Sequence, residues 1–124
     1  MTITEVSKTY DLSPDTLRYC ERIGLIPAVH RRDSGVRDYT EEDCRWVNFA
    51  KCMRGAGLQV EALIEYVALV QQGDGTTEAR VQILVEQRDK LAEKVAEMQR
   101  TLECLNDKIE RYGETIRQAE KKLR

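Results

Sequence analysis

The stretch from Thr77 to Tyr112 constrains the chain most. Apolar residues recur at Val81, Leu84, Leu91, Val95, Met98, Leu102, Leu105, Ile109 and Tyr112, in steps that alternate four and three. Arg88 interrupts the series once, and Ile116 continues it beyond Gly113. Glu, Lys, Arg and Gln fill most of the positions between. This pattern predicts a long helix with one narrow apolar seam, about five heptads long. One helix cannot bury such a seam against itself. No second helix of comparable length is predicted here, so the same seam on a second copy is the expected partner and the chain reads as a homodimer.

The 124 residues suit a small domain plus a helical arm. Net charge is −2, which argues against non-specific coating of nucleic acid. Splitting the chain reveals no basic domain: residues 1–56 hold as many acids as bases, and residues 57–124 are slightly acidic. Any DNA binding must come from where the arginines sit. No apolar run reaches the roughly 18–20 residues of a membrane span, and the N-terminus lacks a signal-peptide pattern. Cys20, Cys44, Cys52 and Cys104 are scattered without C-x-x-C spacing, which predicts a cytoplasmic protein with free thiols and no metal site.

Ahead of the long helix the chain predicts four short ones. Thr2 and Glu5 form a capping box that opens the first, with Ile3, Val6 and Tyr10 at helical spacing. Ser13-Pro14 starts the second, which ends before Gly24. Joined by Asp11-Leu12, with Leu12 and Leu17 facing inward, the two make a helix-turn-helix. Residues His30 to Tyr39 carry a Gly-containing turn between short extended pieces, a two-stranded wing. Thr40 with Asp43 caps a third helix, about Glu41 to Ala56, whose predicted inner face is Trp46, Phe49, Ala50 and Met53. The fourth runs from about Val60 to Gln71, and Gln72-Gly73-Asp74-Gly75 breaks the chain before the long helix. The predicted fold is all-α, in three parts: a winged helix-turn-helix with a helical extension (1–72), the long dimerisation helix (73–112) and a short charged segment (113–124).

Ile3-x-x-Val6, Leu12-Ser13-Pro14-x-Thr16-Leu17-Arg18-Tyr19-x-Glu21-x-x-Gly24-Leu25, Arg32-x-x-x-x-Arg37-x-Tyr39 and Thr40-Glu41-Glu42-Asp43 together resemble a MerR-family transcription regulator. Lys51-Cys52-Met53-Arg54-x-Ala56-Gly57-Leu58, followed by Glu61 to Tyr66, is similar to the subgroup of AdhR and NmlR, regulators that respond to aldehydes or nitrosative stress. The resemblance implies an antiparallel coiled coil and a dimer on a pseudo-palindromic operator in double-stranded promoter DNA. It also implies distortion of a long promoter spacer so that RNA polymerase holoenzyme engages both elements. It assigns DNA contact to Arg18, Tyr19 and Arg37. The residue chemistry adds Thr16 on the same helix, Arg31 and Arg32 beside the wing turn, and Tyr39, which could equally pack the wing onto the third helix. On composition alone these side chains could also be a solvated charged face.

Cys52 is the expected sensor. It lies about 110° from the centre of the third helix's predicted inner face, and Lys51 and Arg54 beside it in sequence favour thiolate. A small buried apolar residue is the alternative. Cys44 is expected to be exposed, and Cys20 and Cys104 to be incidental. Metal-sensing relatives carry cysteines where this chain has Thr76-Thr77-Glu78 and Gly113-Glu114-Thr115, so neither metal nor cofactor is expected. Other readings are the same fold sensing oxidant, nitric oxide or a small ligand, and a coiled-coil adaptor. One histidine and no catalytic constellation argue against an enzyme.

Overall fold

The computed structural model describes residues 1–123, in the order α1 (Ile3–Tyr10), α2 (Pro14–Arg22), α3 (Glu41–Gly55), α4 (Val60–Gln72) and α5 (Thr77–Leu123). Local chemistry sets the first three starts. Thr2 and Glu5 close a capping box on α1, Ser13 accepts from the Thr16 amide ahead of Pro14, and Thr40 and Asp43 close a second box on α3. Asp11 ends α1 in the left-handed conformation at φ 53°. Gly24 turns the chain out of α2 at φ 83°, close under α4, where an added Cβ would lie 3.6 Å from Ile64 Cγ2.

Residues Met1–Arg88 form one compact unit. Its core gathers Val6, Leu17, Cys20, Leu25, Ile26, Val29, Tyr39, Val47, Ala50 and Leu63 from α1 to α4 and the wing. The predicted inner face of α3 needs correction. Asp43, Cys44, Val47 and Ala50 are its buried residues, while Trp46, Phe49 and Met53 are half-buried. The helix is packed on two sides, so a single-face projection misplaces its centre. Cys44 and Val47 look into the core, and the Trp46 and Phe49 rings cluster with Tyr66 of α4 at centroid separations of 5.6–6.2 Å.

The wing is shorter than the predicted pair of strands. One antiparallel bridge joins Arg31 and Arg37 across a turn closed by the Gly35 amide on the Arg32 carbonyl, with Gly35 at φ 89°. Five residues, Arg32 to Val36, are spent on the turn between the bridge partners, which leaves too few for a ladder.

The first turns of α5 belong to this unit. Arg80 and Ile83 are half-buried and Gln87 is 5% exposed. Gln87 Oε1 accepts from the Gln59 amide at the start of α4, and Gln87 Nε2 donates to Gln59 Oε1. Val81 and Leu84, one residue along from that inward face, stay exposed.

The second unit, from Asp89 on, is the rest of α5. The helix continues through Gly113 to Leu123 and does not close at Tyr112 as the three-part reading has it. A single helical glycine costs only about 1 kcal/mol, and Ile116 extends the seam beyond it. Val95, Met98, Leu102, Leu105, Ile109, Tyr112 and Ile116 are all at least 50% exposed. Leu91 is half-buried. An apolar stripe of this length left open to water fits a dimerisation helix.

Candidate nucleic-acid interface

Arg18, Glu21 and Arg22 of α2 and Arg31 and Arg37 of the wing line one open cleft of about 580 Å³. Four cations around one carboxylate suit an anionic partner. Glu21 sits at the centre, its side chain only 11% exposed. Its Oε1 accepts from Arg37 Nε at 2.7 Å and lies 3.9 Å from Arg31 Nη2, and its Oε2 accepts from the Val29 amide at 2.8 Å. Helix α2 and the wing are thereby tied at one carboxylate. Arg31 Nη1 also donates to the Gly35 carbonyl across the turn. Arg32 pairs loosely with Asp38 at 3.9 Å, and its side chain is 57% exposed.

On α2, Arg18 pairs with Asp15 one turn back at 3.0 Å, both on the surface. A pair this exposed contributes under about 1 kcal/mol, so Arg18 can leave it for a phosphate at little cost. Tyr19 is exposed, and the Arg22 guanidinium sits 5.4 Å from its ring centroid. Thr16 Oγ1 is 2.9 Å from Ser13 Oγ at the start of the helix. Tyr39 is placed differently from the other aromatic candidate. It is 2% exposed, and among the described residues its hydroxyl has no hydrogen-bond partner. Burial raises its phenol above the ordinary value, opposed by the nearby Arg37 cation. It packs the wing onto the core, and its hydroxyl reaches a phosphate only if the wing shifts. Sequence reasoning kept Glu21 as a motif letter and passed over Arg22. The role of Glu21 depends on partners eight and more residues away, whereas the Arg22–Tyr19 contact follows from their i,i+3 spacing on α2 and could have been read from the sequence.

The wing is fixed to α3 from its other side. Asp43, 5% exposed, accepts at Oδ2 from the Thr40 amide at 3.0 Å and the His30 amide at 3.3 Å, with His30 Nδ1 at 2.9 Å. Burial pushes this carboxyl up, but the hydrogen bonds from Thr40 and His30 outweigh it, and it titrates below the ordinary value.

The cysteines depart from expectation in two places. Cys44 is buried, not exposed, with Sγ 3.8 Å from Met1 Sδ. Cys52 is exposed as an accessible thiol requires, yet the cations beside it in sequence point elsewhere. Lys51 donates to the Tyr10 carbonyl, and Arg54 Nη1 lies 3.9 Å from Cys20 Sγ. Cys52 Sγ donates weakly to Asn48 Oδ1 at 4.0 Å. Consecutive helical residues diverge by about 100°, so adjacency in sequence is not proximity. Cys20 is buried, and burial raises its thiol with Arg54 partly offsetting. Cys104 is exposed on α5. Among the described residues no group of three or more His, Cys, Asp or Glu side chains is placed to hold a metal ion, and no helix is long and apolar enough to cross a membrane.

Residues 1–69 match the family described as MerR HTH family regulatory protein. The chain is 57% identical over 93 residues to the transcriptional regulator AdhR of Bacillus subtilis, covering 75% of this chain and 66% of that one. A MerR-family regulator from Listeria monocytogenes, 46% identical, superposes with a TM-score of 0.94 over 99% of this chain and 93% of that one. HiNmlR, a MerR-family regulator lacking the sensor domain and solved bound to promoter DNA, is 26% identical with a TM-score of 0.82 over 91% and 90% of the two chains. These relatives are transcription regulators, not enzymes. The chain belongs to the MerR family of helix-turn-helix transcription regulators, proteins that bind promoter DNA as dimers.

Proposed function

We propose that this regulator, acting in the cytoplasm, grips a pseudo-palindromic promoter element through Arg18, Tyr19 and Thr16 of α2 and Arg31, Arg32 and Arg37 of the wing, with Tyr39 bracing the wing from beneath. The observation that carries the reading is the convergence of arginines from two elements on one cleft. Phosphate contacts of this kind set register and orientation, while side chains near the start of α2 are the ones within reach of base edges. The dimer bends and untwists a long spacer so that RNA polymerase holoenzyme engages both promoter elements. Distortion at steps the protein never touches adds indirect readout.

Cys52 is the sensor, and reactive aldehydes are the inducers. The 57% identity to AdhR and the exposure of Cys52 support this assignment. Burial disfavours the competing Cys20, because it holds that thiol protonated. The thiol adds to an aldehyde carbonyl, the sulfur forming a bond to carbon while the proton passes to the oxygen, to give a hemithioacetal. The resulting bulk lies on the last turns of α3, ahead of the loop that Gln87 holds through Gln59. In transcription from the promoter found upstream of its gene, Cys52→Ser is expected to retain DNA binding and lose the response to formaldehyde and methylglyoxal. A full response from Cys52→Ser rejects the sensor assignment, and a response to oxidant or nitric oxide in place of aldehyde redirects the inducer.

A further inference from the structure

We propose that Glu21 is the positioning residue of the DNA interface, an acid that arms the wing arginines for phosphate and does not merely repel it. A carboxylate in the middle of a surface meant for an anion is costly unless it has a task. Glu21 is nearly buried, and all the atoms it holds lie on the wing side: the Val29 amide, Arg37 Nε and, more distantly, Arg31 Nη2. The way it holds Arg37 is the informative detail. A guanidinium gripped at Nε keeps its two terminal nitrogens for a second partner, and those of Arg37 have no protein partner among the described residues. The fork is therefore fixed in direction before DNA arrives, and ordering a long side chain is a cost of binding that the free protein has already met. The Val29 bond fixes the strand leading into the wing by the same carboxylate, so Arg31 and Arg37 move with α2. Glu21 thus acts on DNA through the arginines and touches none itself. The inference rests on the proposed contact of Arg37 with the DNA backbone.

Positioning and repulsion predict opposite signs. If Glu21 only repels, neutralising it tightens binding to every duplex. If it positions, neutralising it weakens binding and the loss depends on Arg37. The test uses the full-length dimer and a symmetric duplex selected by the protein from a random library, titrated at several salt concentrations. Glu21→Ala is expected to weaken binding of the dimer about a hundredfold, about tenfold for one charge-assisted hydrogen bond in each protomer. It should also shallow the dependence of log K on log salt by about 2 per dimer, because each protomer then neutralises one phosphate fewer. Glu21→Gln, which keeps the shape and an acceptor for Val29, should fold as the parent does and show the same effects in smaller measure. In the Arg37→Ala background Glu21→Ala should cost less than twofold more. Unchanged or tighter binding by Glu21→Gln overturns the inference. So does a weakening that keeps the parent's salt slope and recurs in full without Arg37, since that marks a structural defect. If Arg37→Ala itself leaves affinity and slope intact, the placement of Arg37 on DNA fails, and the role of Glu21 fails with it.

Discussion

Asp43 joins three groups at one oxygen: the Thr40 amide at the cap of α3, the His30 amide and the His30 ring. Its carboxyl titrates below the ordinary value, so its stabilisation is complete above that value and is lost as pH falls through the folded one. Replacing it with Asn leaves the Thr40 and His30 donors a weaker acceptor. Asp43→Asn is expected to lower stability at pH 7 by about 1–3 kcal/mol in urea unfolding. The gap to the parent should close progressively as pH falls from about 4 down through the lower folded value, where the parent carboxyl itself becomes protonated. A gap that persists undiminished at low pH would show that the charge is not what holds the wing. The two capping boxes and the Ser13-Pro14 start were legible in the sequence because each is closed within four residues. Asp43's second task was not, since His30 lies 13 residues away.

At the scale of elements, α5 carries two faces with different duties. Gln87 reaches the start of α4 and Arg80 and Ile83 are half-buried on the same face, while Val81 and Leu84 begin the open stripe that runs on to Ile116. Heptad counting finds the stripe and misses the inward face, because Gln87 is polar and gives no hydrophobic signal. Gly113 lies inside the helix, and a Cβ there would meet Arg117 Nη2 at an ordinary 3.5 Å. Gly113→Ala should therefore stabilise the helix by up to about 1 kcal/mol and raise the thermal midpoint by about 4 °C at fixed protein concentration. A drop would mean that another surface needs the bare glycine. The wing taught the opposite lesson: its turn chemistry was readable from Gly35, but its extent was not, since strand length depends on how many residues the turn consumes.

For the whole molecule, the open stripe and the arginine cleft make a joint demand. Two recognition helices must meet one duplex with two-fold symmetry, at half-sites about one helical turn, roughly 34 Å, apart. Leu105→Glu places a charge in the stripe at a residue that is 56% exposed in the single chain, so the fold of the first unit should survive it. Sedimentation is expected to show a monomer, and footprinting on the selected duplex should lose protection of both half-sites together. A monomeric variant that still protects a full symmetric site would detach DNA binding from the long helix.

The sequence alone determined the helices, their caps, the stripe along α5 and the family, because each of these rests on short-range periodicity or on motifs read in order. Only the tertiary structure decided which side chains share an environment. It sent Lys51 and Arg54 away from Cys52, buried Cys44 and Tyr39, and brought Arg31 and Arg37 to Glu21. Spacing along a helix fixes direction, whereas a partner 10 or more residues away is fixed only when the chain closes on its core and each buried polar group must find one.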